Sequence, residues 1–267
     1  MNDIKITVLV ENTSNSNLKP VHGLSFYIET PKHKLLFDLG PNGTVFDNAK
    51  KKNIDLRAVD TVIISHGHYD HGGALKAFLK LNSDAKVYIQ KTAFEPHFSK
   101  AGLLKINIGL DKSLMNNPSV ILIEGDYIID GELSLFVSKA CGTFYSDANK
   151  ALLTGKKPDD FRHEQNLLIK GKKNILITGC GHSGVVNILK SVPGSVPPYC
   201  IGGFHIYNPV NRKTVPDSQL KALSDFLCDF GNVEFYTCHC TGTKAFKYLS
   251  AKHNNIHYIS CGDEIEI

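Results

Sequence analysis

Tryptophan is absent, and no apolar run approaches the ~20 residues that a membrane-spanning helix needs. The second absence excludes a helical membrane protein. No low-complexity linker divides the chain, and the Pro-rich stretch from Val192 to Pro198 is short enough to be a loop. One domain over residues 1–267 is therefore expected. Neither sign of charge dominates: 30 basic and 26 acidic residues leave +4, and the densest basic run near the start is Lys50-Lys51-Lys52. This argues against nucleic-acid binding and is compatible with an anionic small-molecule substrate. Met1 leads straight into the strand-like Ile4-Lys5-Ile6-Thr7-Val8-Leu9-Val10 without a charged-then-apolar leader. The seven cysteines, at 141, 180, 200, 228, 238, 240 and 261, are odd in number and form no secreted framework. The expectation is a cytoplasmic protein with reduced thiols.

Periodicity predicts strands alternating with helices, hence an α/β layered fold. Strands are expected at Ile4 to Val10, Ser25 to Glu29, Lys34 to Asp38 and Thr61 to Ile64, with helices at Asn42 to Lys52 and Gly72 to Leu81. In the second half, Asn166 to Ile169 and Asn174 to Thr178 read as a hairpin. Helices follow at Gly184 to Lys190, Pro216 to Phe230 and Thr243 to Ser250, with strands at Tyr199 to Ile201 and Val233 to Thr237. Strand ends recur in one style. Val62-Ile63-Ile64-Ser65-His66-Gly67-His68 is echoed by Leu176-Ile177-Thr178-Gly179-Cys180-Gly181-His182, and two later strands run into His205 and into Cys238-His239-Cys240. The carboxyl ends of strands are where α/β proteins place their sites.

The run His66-Gly67-His68-Tyr69-Asp70-His71 puts four metal-ligand side chains in six residues. In an extended segment His66 and His68 point the same way and can reach one ion. Asp70 and His71, past the turn, are free to reach a second. Imidazole and carboxylate suit zinc, manganese or iron better than calcium. If the two half-chain strands lie side by side, His182 completes the ion of His66 and His68. His239 is the candidate partner of Asp70 and His71. His205 is either a ligand or a proton donor beside the ions, and Cys180 is either a thiolate ligand or a buried free cysteine. Asp38 either accepts the outer ring N–H of a ligand histidine or caps a turn. His163-Glu164 is held as a reserve ligand pair. Cys238 and Cys240 flank His239 and should point away from it, as structure. His22, His33, His97, His253 and His257 have no partner pattern and read as surface.

The hexapeptide resembles the His-x-His-x-Asp-His motif of the metallo-β-lactamase superfamily. Leu36-Phe37-Asp38-Leu39-Gly40, Ile177-Thr178-Gly179-Cys180 and Thr237-Cys238-His239 resemble its other site-bearing strand ends, in the same order. The resemblance implies an αββα sandwich, two mixed sheets flanked by helices with one or two zinc ions at one edge. It implies hydrolysis of an ester, amide, lactone or phosphoester by water activated on the ions; Asp70 and His205 are the catalytic candidates, His205 to orient the substrate or donate a proton to the leaving group. Thr178 to His182, Gly202 to His205 and Cys238 to Gly242 are similar to a subgroup that includes dihydropterin-(ribofuranosyl)aminobenzene-phosphate synthases. That subgroup brings a transferase alternative; a non-catalytic metal-dependent sensor is a third reading. Lys139 to Phe144 stands where many members of the subgroup carry a Gly-x-Ile-Pro-Arg-like segment.

Overall fold

The computed structural model describes residues 4–139, 142 and 144–267. Two seven-stranded mixed sheets face each other. The first runs, in spatial order, Glu264–Glu266, Lys5–Val10, Ser25–Glu29, Lys34–Phe37, Thr61–Ile63, Lys86–Gln90 and Val120–Ile123. The second runs Ile256–Tyr258, Glu234–Thr237, Tyr199–Gly202, Ile175–Ile177, Asn166–Ile169, Leu133–Phe136 and Tyr127–Ile128.

Side-chain alternation explains the layering. Leu35 and Phe37 enter the core between the sheets while Leu36 faces outward to the helices Thr44–Lys51 and Leu75–Leu81. Ile175 and Ile177 meet them from the second sheet, and Leu176 packs outward with the helices Val185–Ser191, Asp217–Leu227 and Thr243–Ser250. Strands with apolar residues on both faces need cover on both, and the αββα sandwich supplies it.

The polarity of the pairing places the site. Lys34–Phe37 and Thr61–Ile63 are parallel, so Asp38 and His66 leave the first sheet on one side. Ile175–Ile177, Tyr199–Gly202 and Glu234–Thr237 are also parallel neighbours, so Cys180, His205 and His239 follow their carboxyl ends. The two motif strands do not lie side by side in one sheet as expected. They stand in opposite sheets and meet end to end. A Cβ on Gly179 would lie 2.2 Å from Ser65 Oγ, so only glycine lets the second sheet close on the first here.

The strands Ile256–Tyr258 and Glu264–Glu266 were not expected, but the elements expected up to Leu81 and from Asn166 to Ser250 fall close to where periodicity puts them. The middle does not: Lys86–Gln90, His97–Ala101, Leu104–Asn107, Val120–Ile123 and Leu133–Phe136 are strands where none was expected. Of the segment Lys139 to Phe144, residues Ala140, Cys141 and Thr143 lie outside the described residues. Among the described residues no helix is long and apolar enough to cross a membrane.

Candidate metal centre

The loop after Thr61–Ile63 bends at His66 and Gly67 and carries His68 in extended backbone, and a short helix, Tyr69–Gly72, then turns Asp70 and His71 inward. Gly67 makes this turn possible, since a Cβ there would lie 2.4 Å from the Ala93 carbonyl and 2.8 Å from the His97 ring. His66, His68 and His182 bring ligand atoms within 4.8 Å of one another; so do His66, His71 and Cys180, and Cys180, His239 and Cys240.

The outer nitrogens reveal how these rings are set. Ser65 Oγ donates to Asp38 Oδ2 at 2.7 Å and therefore accepts the Nδ1–H of His66 at 2.9 Å. His71 donates its Nδ1–H to Asp38 Oδ2 at 2.6 Å. His182 donates from Nδ1 to Asn149 Oδ1 at 3.1 Å, and His239 from Nδ1 to Asn12 Oδ1 at 2.9 Å. In each case an oxygen holds the outer proton, which fixes the tautomer and turns the Nε2 lone pair inward. His66 Nε2 and His182 Nε2 consequently face each other at 3.3 Å with no proton between them. Two lone pairs at that distance repel unless a cation lies between them. Two zinc–nitrogen bonds of about 2.0–2.1 Å at a tetrahedral angle put their nitrogens roughly 3.3–3.4 Å apart. His68 Nε2 is also buried without a partner.

A second group of inward atoms lies alongside. Asp70 Oδ2 is 3.4 Å from His239 Nε2 and 3.8 Å from His71 Nε2, and Cys180 Sγ is 3.2 Å from His71 Nε2. The residues present fit a metal ion at both groups.

The electrostatics favour ligation at the first group. Burial, reinforced by neighbouring imidazoles, holds His66, His68 and His182 well below the ordinary histidine value, so they are neutral and able to ligate. Burial is also the largest influence on His71, favouring its neutral form, but Asp38 and Asp70 together outweigh it and raise His71 to about 9. For Asp70 burial again opposes the outcome, and His71, His22 and His239 hold its carboxyl well below the usual range. Burial pushes the Cys180 thiol up; a cation in front of it would reverse that.

His205 lies 4.0 Å from His182, ring centroid to centroid. It is buried, its backbone stands at φ 44°, and neither ring nitrogen has a hydrogen-bond partner. Asp38 and His239, at φ 61° and 51°, are left-handed too, so three strand ends at this edge carry a conformation that L-residues rarely adopt.

The reserve pair is placed otherwise engaged. Glu164 caps the turn after Cys180 by accepting the backbone N–H groups of His182 and Ser183. His163 Nδ1 accepts the Gly67 N–H at 3.0 Å, and Nε2 faces Asp159 Oδ2 at 3.2 Å. With one nitrogen accepting, the other must carry the proton and donate it to Asp159. His97, Asp159 and His163 thus form a hydrogen-bonded support beneath the motif, and their ligand atoms also lie within 4.8 Å of that of His68.

Several site residues escaped the sequence reading. His97 is fully buried against Asp159 instead of on the surface, and His22 lies 3.2 Å from Asp70 Oδ2. Cys240 does not point away from His239. The segment His239–Thr241 is a 3-10 turn, not a strand, which brings Cys240 to the site beside its neighbour. Cys238 alone is structural, buried between the sheets. Glu11, which accepts the His239 backbone N–H, and Asn12 come from a loop, and Asn149 from the 3-10 turn Asp147–Ala151; all three are far off in sequence and carried no pattern, whereas Ser65, next to His66, could have been read as its partner.

Comparison with known proteins identifies the family. Residues 18–186 match the model of the metallo-beta-lactamase superfamily. An uncharacterised protein of Methanocaldococcus jannaschii is 30% identical over 94% of this chain and 96% of its own length. A protein of the same organism named 7,8-dihydropterin-6-methyl-4-(beta-D-ribofuranosyl)-aminobenzene-5'-phosphate synthase is 30% identical over 92% of this chain and 90% of its own. A solved structure described as a metal-dependent hydrolase of the beta-lactamase superfamily superposes with a TM-score of 0.79 at 26% identity, with 99% of each chain covered. With the motif order, the sandwich and the inward-facing ligands in agreement, this chain belongs to the metallo-β-lactamase superfamily.

Proposed function

We propose that the protein is a hydrolase with a dinuclear metal centre, zinc in the first instance, with manganese or iron as alternatives. One ion is held by His66, His68 and His182, the other by Asp70, His71 and His239, with Cys180 between the two groups. The observation that carries this reading is the set of four histidines whose outer N–H groups are committed to Ser65, Asp38, Asn149 and Asn12. Such ions supply Lewis acidity, making water acidic enough to attack at neutral pH and polarising the oxygen of the bond it attacks.

The chain's own groups do the rest. Asp70, kept ionised, is positioned to take the proton of the attacking water. His205, with two free nitrogens at the cavity wall, orients the substrate and returns a proton to the leaving oxygen. Asp38 keeps the His71 lone pair inward throughout. A transferase of the synthase type is the second reading, supported by the 30% identity to the synthase-named relative.

Elemental analysis of wild type, His68→Ala and Asp70→Ala, alongside assays on carboxylic and phosphoric esters, tests the proposal. Near two equivalents of metal and ester hydrolysis are expected in wild type, and both should fall in the variants. Full metal content and activity in either variant would refute it. Alkylation of an aromatic amine by a pterin diphosphate, without ester hydrolysis, would favour the second reading.

A further inference from the structure

The cavity in front of the ligand cluster has a volume of about 480 Å³, within the range of small-molecule sites. One end is the site itself. The other is apolar, built from Tyr69, Ile106, Ile108, Leu152, Pro209 and Val210. Tyr69, Ile106 and Val210 are 44%, 45% and 43% exposed, so three of the chain's exposed large hydrophobics gather on this one rim. Scattered apolar residues need no explanation, but a cluster at the mouth of a site marks what it binds. Among the described residues no lysine or arginine lines the cavity. Asn12, the polar residue beside His239, already spends its side chain on that histidine. A charged group on the non-reacting part of a substrate would therefore lose its hydration against these apolar side chains and meet no lysine or arginine, only neutral polar groups such as Ser99 and Asn208.

We infer that the substrate is an uncharged carboxylic ester or lactone whose non-reacting part is an apolar chain lying on Tyr69, Ile106, Leu152 and Val210. The inference rests on the hydrolase reading and narrows it. Water adds its oxygen to the carbonyl carbon, the acyl C–O bond breaks, and the alcohol oxygen leaves with a proton, giving a carboxylic acid and an alcohol. The net charge of +4, which at first allowed an anionic substrate, lies elsewhere on the surface.

The test uses the full, metal-loaded chain with p-nitrophenyl acetate, butyrate, hexanoate and octanoate, beside bis-p-nitrophenyl phosphate. Binding of n-alkyl hydroxamates of the same lengths is measured by calorimetry as a second readout. Both kcat/KM and hydroxamate affinity should rise about fourfold per methylene while the chain still gains cover. Ile106→Asp and Val210→Asp, at exposed positions that folding does not depend on, should flatten both dependences. A flat response to chain length, or a preference for the phosphodiester, overturns the substrate class and leaves the hydrolase reading standing. If every ester is inert, the hydroxamate series decides: graded affinity supports an apolar-chain ligand, and flat affinity refutes it. Pterin-diphosphate alkylation by an enzyme inert to all esters overturns both the class and the hydrolase reading.

Discussion

Asp38 and His71 are joined by a 2.6 Å hydrogen bond between two side chains that are wholly shielded from solvent. The same carboxylate accepts the backbone N–H of Ser65 at 2.7 Å and the Ser65 hydroxyl at 2.7 Å. One buried residue thus sets the orientation of His71 directly and of His66 through Ser65. Asp38→Asn should test this cleanly, because asparagine tolerates the left-handed backbone that Asp38 adopts. An amide can offer an N–H to His71 Nδ1 and so invert its tautomer, placing a proton where the lone pair belongs. Metal affinity should drop by about 10- to 100-fold, read by competition with a chromogenic chelator. Unchanged affinity would remove Asp38 from this role.

Beneath the motif, His163 links the Gly67 N–H to Asp159. His163→Leu strands both partners in the interior and should cost about 3 kcal/mol of stability. His163→Asn can place its carbonyl near the position of Nδ1 and keep the Gly67 bond, so it should recover part of that loss. Urea unfolding of the two variants should rank them wild type, then Asn, then Leu. Equal stability of Asn and Leu would mean that the Gly67 bond contributes little.

How much of this was legible beforehand depends on the kind of residue. His66, His68, Asp70 and His71 stand together in one hexapeptide, so their chemistry is local and readable. His182, His205 and His239 could be placed because each follows an apolar run that periodicity marks as a strand. Their supports could not: Asn149 reaches His182 from the 3-10 turn Asp147–Ala151 and Asn12 reaches His239 from a loop, across 33 and 227 positions of sequence. His97 was misread because the strand carrying it, His97–Ala101, alternates too weakly for its buried face to show. Cys240 was misread because alternation was assumed to continue past Thr237, where the backbone turns at His239. The fold was readable in the apolar runs that lead into site residues, and unreadable between Lys86 and Pro158, where even the apolar strand Val120–Ile123 was passed over.

His205 holds a left-handed backbone without the freedom of glycine, and its ring nitrogens are buried without partners. Both features cost stability, so His205→Gly should stabilise the fold by about 1 kcal/mol through relief of the strained φ. The same change should lower kcat by roughly 100-fold if the ring moves a proton to the leaving group. A leaving group that needs no protonation, such as p-nitrophenolate, should be affected much less than a simple alcohol. An equal loss for both leaving groups would assign His205 to shape alone.

His33 gives the fold a pH dependence away from the centre. Its ring spans Asp60 at 2.8 Å and Asp130 at 2.8 Å. Burial is the largest single influence and favours the neutral ring, but the two carboxylates outweigh it and raise the value above that of free histidine. The stabilisation is therefore complete below the unfolded value of about 6.5 and is lost as pH rises through the folded value. His33→Asn should be destabilised relative to wild type at pH 6, and the gap should narrow by pH 9. A gap that stays constant, or widens with pH, would show that the ring contributes by packing and not by charge.

Metal removal should loosen the edge where the two sheets meet. His66 and His182 come from opposite sheets, and their inward nitrogens are 3.3 Å apart. An ion bound only by the folded chain stabilises it by RT ln(1 + [L]/Kd), about 2.7 kcal/mol at a free concentration one hundred times Kd. For a chain of this size that raises the melting temperature by roughly 5–10 °C. The shift should grow with the logarithm of free zinc in a buffered series and vanish with a strong chelator. In His66→Ala and His182→Ala the slope should fall, since each variant removes one of the three side chains assigned to that ion. Asp70→Asn should retain more of the slope, because Asp70, His71 and His239 form the neighbouring group. If all three variants lose the shift equally, the two groups act as one site, and the assignment of His66, His68 and His182 to an ion of their own fails.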